Sequence, residues 1–512
     1  MRYHVLGIGS IGTLVAHHLR LSQPSAQVTL VVRNAEKFVK PSRATDGDIT
    51  TGPTLHVAQN GGDTTTTTGY ELDVSNPGRL PALAAAAAAG NAATVNAGGP
   101  IDSLVVCTKA PATSAAIAGL RSRISPSTVV ALLQNGMGVY DELCAKFWPE
   151  PSTRPQIILG TTTHGVTPAT PSQHGSVLHM SRPGQGAIKW GVVPDPRGEV
   201  DFENWLWGTH VGDLPALTPP PSPPLPLPQP PAGMGMTNLH ATLTALLSMS
   251  SLSPSLLPMP HLYNELLLKL AVNATINPLT AILGGGYLRN GALHRSSPGN
   301  RLVQQSVKET SKILTAYLHN LAAPRTAAPE AVRLFSYPSV LDRVNSVISA
   351  TRDNTSSMAG DVKNGQMTEI DYINKFLVSL GTRLNVPTPV HQMLTQMVKF
   401  KAEVGGLNKN LYPSVTGAVR RGEEGALEER RLSLEERRLA LEERAVALRE
   451  AKRDEDIAEK RTRRKLRRRI REDSEAAATL GLVTGSDSGS SLGSPSSSSA
   501  RSQGEGGVSE RV

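Results

Sequence analysis

Three polar side chains recur every four residues along an otherwise apolar segment. Lys269, Asn273 and Asn277 are separated mainly by Leu, Ala, Val and Ile, and a helix would place all three on nearly one face. Buried polar groups need hydrogen-bond partners, which a ligand could supply. Desolvation lowers the pKa of a lysine in an apolar cleft and makes it a better general acid. Ketone reduction needs such an acid, and Lys269 could protonate the carbonyl oxygen as hydride reaches the carbon.

A simpler interpretation of this segment also stands. Glu265 lies four residues before Lys269, so the two could form an ordinary surface salt bridge on an amphipathic helix. Pro278 follows Asn277 directly, and we expect it to kink or end the helix there.

A glycine-rich turn at the start of the chain is typical of nucleotide binding. The pattern G-x-G-x-x-G lies between an apolar strand and a helix, where glycines allow the backbone to approach a pyrophosphate at the helix N-terminus. The cofactor-binding residues predicted here are Gly7, Ile8, Gly9, Ser10, Ile11 and Gly12. The alternative is a turn with only a structural purpose.

The residue after the second strand suggests which dinucleotide is bound. An NAD site usually has an acid there, whereas this chain has Arg33. A guanidinium suits a 2′-phosphate, so NADP(H) is favoured over NAD(H). Arg33 could also be an ordinary solvated residue.

Apolar runs predict the elements that position these groups. The opening residues have a strand–turn–helix–strand pattern, and the segments SLVVCTKA, TVVALLQNG and QIILGTTT predict further parallel strands. We predict an α/β Rossmann-like dinucleotide-binding domain over residues 1–258 and an all-α substrate and catalytic domain over 259–405. A charged helical and disordered tail then covers 406–512.

Two low-complexity stretches interrupt the first domain. The first, at about residues 43–100, is rich in Thr, Gly and Ala. This composition predicts that most of it is an insertion or loop. A second insertion at about 214–235 contains a proline-rich stretch, which we expect to be extended and solvated and to contribute nothing to a core.

Composition narrows the classes of protein to consider. Of the formal charge of +9, eight positive charges lie within residues 461–471, so the rest of the chain is nearly neutral. We therefore expect no nucleic-acid partner except at this basic patch. Cys107 and Cys144 have neither disulfide nor metal-site spacing, which fits a reducing compartment. No apolar run of about 18 residues predicts a membrane span, and we expect a cytoplasmic protein without a metal.

The tail contains the repeat LEERRLS, LEERRLA, LEERAVA, which predicts a long charged helix. Its apolar spacing departs from a coiled-coil seam, so a solvated single helix and a weakly associating coiled coil both stay open. The Ser/Gly-rich end from Thr484 has a disordered composition. The basic run could be a nuclear-localisation or nucleic-acid patch, or the solvated end of a charged helix.

Several motifs together resemble the ketopantoate reductase family. KLAVNATINPLTAI resembles the central helix motif of that family, GIGSIG its cofactor fingerprint and VVR its 2′-phosphate arginine. Further segments, in the family's order, are CTKA, LLQNGMG, GTTTHG, NTSSM and TEIDYINKFLV. The resemblance covers about residues 1–405 apart from the two insertions. It implies reduction of 2-dehydropantoate to (R)-pantoate by NADPH in pantothenate biosynthesis.

The resemblance also implies roles for individual residues. Lys269 is the implied proton donor. Glu369 is the implied second catalytic group and would lie beside Lys269 and the cofactor. The implied cofactor contacts are Arg33, Lys109, Asn135, Val166 and Glu369. The implied substrate contacts are Asn135, Lys269, Asn273, Asn277, Asn290, Asn354 and Ser357, with Ser357 holding the substrate carboxylate. Because GGGYLRNG follows the central helix, matching Asn290 requires a short shift.

Local patterns bear on two of these residues. Thr368 and Asp371 predict a capping box that places Glu369 in the first turn of a helix. Ser356 and Ser357 could expose hydroxyls at another helix start, where an anion is favoured, or could serve as caps alone.

Two other functions stay open at this point. The chain could be a related NADP-dependent dehydrogenase of another 2-keto or hydroxy acid, because a fold does not determine the substrate. It could also be a non-catalytic nucleotide-sensing regulator whose tail binds partners. A homo-oligomer is compatible with either.

Overall fold

The computed structural model describes most of the chain. The described residues are 1–34, 38, 53–60, 62–74, 98–169, 175–181, 185–198, 201–208, 219–231, 235–284, 288–321, 329–411 and seven positions between 462 and 472. They fall into two units, Met1–Tyr412 and Pro413–Val512.

The first half of the first unit is built on β-strands. Those described are β1 (Arg2–Leu6), β2 (Gln27–Val32), β3 (Leu55–Gln59), β4 (Thr64–Thr67), β5 (Tyr70–Val74), β6 (Ser103–Val106), β7 (Val129–Leu132), β8 (Gln156–Thr162), β9 (Val166–Pro168), β10 (Ser176–His179), β11 (Ile188–Val192) and β12 (Pro254–Leu256). The helices between them are α1 (Ser10–Ser22), α2 (Ala110–Ala118), α3 (Val139–Phe147), α4 (Phe202–Trp207) and α5 (Thr237–Leu247).

The central sheet has eight strands in the order β12-β11-β8-β7-β6-β1-β2-β5. Six of them, from β8 to β5, run parallel, and β11 pairs antiparallel to β8. The parallel part has the strand order of dinucleotide-binding folds, in which the direction of winding reverses between β1 and β6. Ligands of such sheets bind at this reversal, beyond the carboxyl ends of the strands. The predicted α/β fold is confirmed.

The threonine-rich stretch contains strands, so the prediction of an insertion or loop over residues 43–100 is wrong for β3, β4 and β5. β5 is fully buried and extends the central sheet beside β2. β3 and β4 belong to a second, four-stranded sheet of order β4-β3-β10-β9, which packs on α1. β-branched threonine favours strands, and the repetition of one residue type obscured this preference in the sequence.

The proline-rich stretch also departs from the prediction that it contributes nothing to a core. Leu227 is only 2% exposed and belongs to the hydrophobic core of the sheet. The hydroxyl of Ser222 accepts a hydrogen bond of 3.0 Å from the backbone N–H of Leu256. The described part of this stretch is therefore anchored to the sheet at one apolar and one polar contact.

The second half of the first unit is helical, as predicted. Its helices are α6 (Met259–Leu283), α7 (Ser297–Leu321), α8 (Pro329–Leu334), α9 (Tyr337–Ala350), α10 (Ser357–Asn364), α11 (Ile370–Arg383) and α12 (Pro389–Leu411). Helix α6 packs against α7, α9, α10, α11 and α12. Because α6 is surrounded by other helices, its Leu, Ala, Val and Ile residues are buried on most sides.

Helix α6 continues through Pro278 to Leu283, so of the two expected effects of Pro278, a kink or an end, the end is wrong. Proline has no N–H to bond the carbonyl four residues earlier, which is that of Ala274. The side-chain amide of Asn374 donates to this carbonyl at 2.9 Å. By length and composition α6 could cross a membrane, but 72% of its most apolar window is buried inside the protein, as in the core helix of a folded domain.

The first unit ends later than predicted. Helix α12 runs to Leu411, beyond the predicted boundary at residue 405. The repeat helix and the Ser/Gly-rich end of the tail lie outside the described residues. In the second unit, the seven described positions are helical.

Candidate functional site

The glycine turn follows β1 and starts α1, as the sequence predicted. Gly7 has a φ of +91°, and a Cβ atom there would lie 2.6 Å from the backbone nitrogen of Thr108. A Cβ at Gly12 would lie 2.1 Å from the carbonyl oxygen of Gly7. These two glycines are therefore required by the close packing of α1 against β1 and β6.

The middle glycine has a different environment. A Cβ at Gly9 would meet no protein atom within 4 Å, so packing does not explain this glycine. Gly9 begins α1 without a side-chain cap, and Ser10 opens the first turn. Open space beside uncapped helix N–H groups suits the pyrophosphate of a dinucleotide. The neighbouring Ile8 and Ile11 pack against the sheet core and position the turn.

Arg33 lies at the same edge of the sheet. In the pairing of β1 with β2, Leu6 lies opposite Val31, so Arg33 leaves β2 close to where Gly7 leaves β1. Its side chain is exposed. The position suits a group that contacts the ribose end of a dinucleotide bound over the glycine turn.

Lys269 lies on α6 and reaches the end of β8. Its Nζ donates a hydrogen bond of 2.7 Å to the carbonyl oxygen of Thr162. Burial lowers the pKa of Lys269 to about 8, against the opposing influence of the Glu369 carboxylate. The alternative salt bridge with Glu265 is wrong, because the Glu265 carboxylate pairs with Lys189 at 2.8 Å.

Glu369 connects the helical part to two turns of the sheet. One carboxylate oxygen accepts from the backbone N–H of Ala110 at 3.2 Å, and the other accepts from the side-chain amide of Asn135 at 3.1 Å. Burial raises the pKa of Glu369, and these two hydrogen bonds oppose the rise. Glu369, Asn135 and Lys269 thus meet at the carboxyl edge of the sheet.

The predicted capping box around Glu369 is wrong. Glu369 is itself the N-cap residue of α11, and no side-chain hydrogen bond caps this helix. Asp371 instead pairs with Lys399 of α12 at 2.7 Å. Glu369 is therefore not used for capping, and both its oxygens point toward α2 and the Asn135 turn.

The Asn135 turn is fixed to α11 by its backbone. Gly136 has a φ of +84°, and a Cβ there would lie 2.5 Å from the carbonyl oxygen of Tyr372. The N–H of Met137 donates to that same carbonyl at 2.8 Å. The tight approach explains the glycine and holds Asn135 at a set position.

Lys109 follows β6 and lies at the same edge, but its partner was not anticipated. Its Nζ forms an ion pair with Asp361 of α10 and donates to the side chain of Gln366 at 3.3 Å. Burial raises the pKa of Asp361, and Lys109 opposes the rise. Spacing alone carried one weak signal, which is that Asp361 lies one helical turn after Ser357.

The two asparagines of α6 share the face of Lys269. Asn277 is only 6% exposed and Asn273 is half-buried, and neither side-chain amide has a hydrogen-bond partner among the described residues. Buried amides normally have partners in folded proteins. Their position beside Lys269 therefore suits contact with a polar ligand.

The structure brings Asn290 and Asn354 together. The backbone N–H of Asn290 donates to the carbonyl of Asn354 at 2.9 Å, and its side-chain amide donates to Thr351 at 2.9 Å. Its Oδ1 atom is buried and has no partner within the described part of the chain. The side chain of Asn354 is exposed.

Ser356 and Ser357 differ in what they do. Ser356 caps α10 by accepting from the N–H of Ala359 at 3.1 Å, and its hydroxyl also bonds Thr280 of α6 at 2.7 Å. Ser357 is the first residue of α10 and is exposed. Of the two predicted hydroxyls, that of Ser357 is the one placed to meet an anion.

The strand end after Thr162 carries His164 of the GTTTHG segment, which contacts His179 of β10, a pairing that no pattern in the sequence indicated. His164 is buried and bonds both His179 and the carbonyl of Leu252, each at 3.0 Å. Val166 begins β9 and packs, partly buried, against the core of the sheet. Within the described residues, no group of three or more His, Cys, Asp or Glu side chains could hold a metal ion.

Comparisons with curated proteins give consistent names at modest identity. The chain is 26% identical over 412 residues to a probable 2-dehydropantoate 2-reductase of Schizosaccharomyces pombe, covering 79% of this chain and 97% of the relative. It is 23% identical over 419 residues to a 2-dehydropantoate 2-reductase of Yersinia pestis, covering 78% of this chain and 95% of the relative.

Solved structures share the fold. D-mandelate dehydrogenase in complex with NADH and anilino(oxo)acetate superposes with a TM-score of 0.53 at 19% identity, over 79% of this chain and 100% of that chain. A 2-dehydropantoate 2-reductase of Methylococcus capsulatus has a TM-score of 0.51 at 17% identity, over 79% of this chain and 98% of that chain.

Family models cover both halves of the first unit. The model described as ketopantoate reductase PanE/ApbA matches residues 3–195, and that of its C-terminal domain matches residues 262–402. Together they span more than half of the chain and include the glycine turn, Asn135, Lys269 and Glu369. The chain belongs to the ketopantoate reductase family.

Proposed function

We propose that the protein is an oxidoreductase that uses NADPH to reduce 2-dehydropantoate to (R)-pantoate in the cytoplasm, a step of pantothenate biosynthesis. One observation carries the proposal: a lysine with a pKa of about 8 lies beside a buried carboxylate and two amides that have no hydrogen-bond partner among the described residues. This arrangement suits proton donation to a bound polar substrate. The names of the curated relatives support the substrate.

The chemistry divides between the cofactor and the chain. When bound, NADPH supplies the hydride that adds to the carbonyl carbon. Negative charge then develops on the carbonyl oxygen, and Lys269 transfers a proton from Nζ to that oxygen as the C–O π bond breaks. Lys269 takes up a proton from solvent before the next turnover. Glu369 stabilises the ammonium form of Lys269 by its nearby negative charge.

Substrate orientation follows from the remaining polar groups. Asn273 and Asn277 offer amides along the face of α6 that carries Lys269, and Asn290 offers its buried Oδ1 atom. The carboxylate of a 2-keto acid would meet Ser357 at the start of α10, where helix N–H groups favour an anion. We propose that Asn354, beside Ser357, also contacts the substrate. We propose that Asn135 contacts both the substrate and the cofactor.

The cofactor assignment rests on Arg33, and we propose that Lys109 and Val166 would also contact the dinucleotide. Arg33 is exposed at the sheet edge beside the glycine turn, where a guanidinium suits a 2′-phosphate. A second candidate is an NADH-dependent dehydrogenase of another 2-keto acid. The fold is shared with D-mandelate dehydrogenase bound to NADH, which supports keeping that candidate.

The test is an assay of NADPH and NADH oxidation against 2-dehydropantoate and a panel of aliphatic and aromatic 2-keto acids. We expect the highest kcat/KM for 2-dehydropantoate with NADPH. A higher value for another keto acid or for NADH would support the second candidate. Binding of NADPH without turnover of any substrate would instead support the nucleotide-sensing regulator.

In the same assay, Ser357→Ala and Asn273→Ala test substrate positioning. We expect both to raise the KM for the keto acid more than they lower kcat, because these groups bind the ground state and the transition state alike. Replacement of Ser356, which caps α10, reports the separate cost of disturbing the helix start.

A further inference from the structure

None of the residues assigned to the proposed reductase site lies in the basic run of the tail, residues 461–471. Residues 461–471 contain eight Arg and Lys and no acid. Because the formal charge of the whole chain is +9, nearly all of the net positive charge is concentrated in these residues. Such a concentration indicates an interaction surface for a polyanion.

The described positions of the run form a helix that presents its charges to solvent. The basic residues among them are Arg463, Lys465, Arg468, Arg469 and Arg471, and each is helical and exposed. At the end of the run, Arg468 forms an ion pair of 2.9 Å with Glu472, one helical turn later. At about 100° per residue, the described basic residues of the run lie on more than one side of such a helix.

The run lacks what a membrane-surface helix needs. Leu466 and Ile470 are its only large apolar residues. An interfacial helix buries a broad apolar face in addition to its basic face. Two aliphatic side chains leave the electrostatic attraction to anionic lipid without that apolar contribution.

The composition instead matches a nucleic-acid backbone. In a continuous helix, which rises about 1.5 Å per residue, a run of this composition would carry roughly one positive charge per 2 Å, close to the roughly 1.7 Å per phosphate charge of a duplex. Most of the basic residues are arginines, whose planar guanidinium binds phosphate through two hydrogen bonds.

The composition of the tail favours a duplex over a single strand as the partner. Residues 413–512 contain no Phe, Tyr, Trp or His. Single-strand binders stack bases on aromatic side chains, which this tail cannot do. We propose that residues 461–471 bind the phosphate backbone of double-stranded nucleic acid, largely independently of base sequence.

Acidic neighbours set how strong this binding can be. Asp454, Glu455, Asp456 and Glu459 precede the run, and Glu472 and Asp473 follow it. These carboxylates compete with phosphates for the arginines, as the Arg468–Glu472 pair illustrates. We therefore expect binding that is measurable at low salt and falls steeply as salt rises.

The experiment measures fluorescence anisotropy of labelled duplex DNA, duplex RNA and single-stranded DNA of one sequence, titrated with the full chain over a range of salt. We expect binding to a duplex with a slope of log K against log salt of up to about −7, as roughly eight phosphate contacts require. Comparison of the two duplexes tells which one is preferred. Tighter binding to single strands would overturn the proposal.

Two charge variants provide the decisive comparison. The first replaces the described basic residues by Gln, namely Arg463, Lys465, Arg468, Arg469 and Arg471. We expect it to weaken duplex binding at least tenfold and to reduce the salt slope by about 4. The control removes as many charges from the charged repeat, through Arg430→Gln, Arg431→Gln, Arg437→Gln, Arg438→Gln and Arg444→Gln, and should bind nearly as the parent does.

Equal loss in both variants would overturn the assignment to residues 461–471, as would unchanged binding in the first. Vesicles of anionic lipid serve as a competitor, and tighter binding to vesicles than to duplex would also overturn it. Reductase turnover should be the same in the parent and both variants. A failure of the proposed reductase activity would leave the binding measurement interpretable, because the two readouts are independent.

Discussion

The ammonium group of Lys269 lies 2.7 Å from the carbonyl oxygen of Thr162. This hydrogen bond fixes the lysine of α6 at the end of β8, where the sheet meets the helical part of the unit. A lysine ammonium has three N–H donors, so Thr162 leaves donors for a substrate oxygen. The bond therefore orients Lys269 without preventing it from acting as an acid.

The first prediction concerns the pH dependence of turnover. Burial lowers the pKa of Lys269 to about 8, and only the protonated form can donate. We expect kcat to be level below about pH 7 and to fall roughly tenfold per pH unit above about pH 8. Lys269→Ala should lower kcat by roughly 10²- to 10⁴-fold while NADPH binding persists.

Lys189→Ala is the matched control for this profile, because Lys189 is a half-exposed lysine that pairs with Glu265. Its kcat and alkaline limb should resemble those of the parent. If Lys269→Ala turns over normally beside an active parent, Lys269 is not the acid and the proton comes from elsewhere.

The second prediction concerns Arg33 and the cofactor. A charge-assisted hydrogen bond to phosphate contributes roughly 1.5–3 kcal/mol, so Arg33→Ala should raise the KM for NADPH roughly tenfold or more. NADH lacks the 2′-phosphate, and its KM should barely change. Steady-state kinetics with both cofactors make the measurement. Equal KM values for the two cofactors in the parent would show that Arg33 does not select between them.

The sheet was more predictable from sequence than the elements that enclose it. β1, β2 and β6 to β8 are short apolar runs that end in polar or small residues, and local pattern alone places them. β5 was not predicted because a threonine-rich stretch precedes it and hides its apolar character. The continuation of α6 past Pro278 depends on Asn374, which lies 100 residues away in sequence and whose contact no local pattern reveals.

The candidate site likewise has one part that local sequence pattern predicts and another that it does not. Lys269, Asn273 and Asn277 lie on one helix, so their spacing sufficed to bring them together. The contacts of Glu369 with Asn135 and of Lys109 with Asp361 each join residues more than 200 positions apart. Family resemblance pointed to Glu369 and Lys109, but tertiary packing decides which groups they meet.

The third prediction tests whether Asn374 replaces the backbone hydrogen bond that α6 lacks at Pro278. Asn374→Leu removes the donor to the Ala274 carbonyl and leaves that buried acceptor unpaired, which should cost about 1–3 kcal/mol of unfolding free energy. In a Pro278→Ala background the helix regains its own N–H, so the same substitution should cost less. Urea unfolding of the four proteins of this cycle measures the coupling. Strict additivity would show that Asn374 does not act through this carbonyl.

The fourth prediction concerns the end of the first unit. A chain that stops after Tyr412 retains α12 to Leu411 and all proposed catalytic and binding groups. Its kcat and KM values should equal those of the full chain within about twofold. A chain that stops after Gly405 loses the end of α12 and should unfold at a lower temperature. Loss of turnover in the chain that stops after Tyr412 would assign the tail a part in the reductase.

The last prediction uses a buried histidine as a reporter of acid stability. His391 is fully buried, and burial lowers its pKa to about 3. Thr310 donates its hydroxyl proton to the Ser306 carbonyl at 2.9 Å, so it accepts from Nε2–H of His391 at 2.8 Å. The Nδ1 atom then accepts from the amide of Asn374 at 3.1 Å, and protonation there would break this bond.

The sign of the effect follows from the two states. Below a pKa of about 6.5 the unfolded chain protonates His391, whereas the folded chain does so only near pH 3. Stability is therefore full above about pH 6.5 and falls as pH decreases, by roughly 2 kcal/mol from this residue between pH 7 and pH 5. His391→Gln should flatten the decline measured by urea unfolding, and His319→Gln, at an exposed position, should not. An unchanged decline in His391→Gln would transfer the acid sensitivity to the other buried histidines, His4, His17, His18 and His179, whose pKa values burial also lowers to about 4.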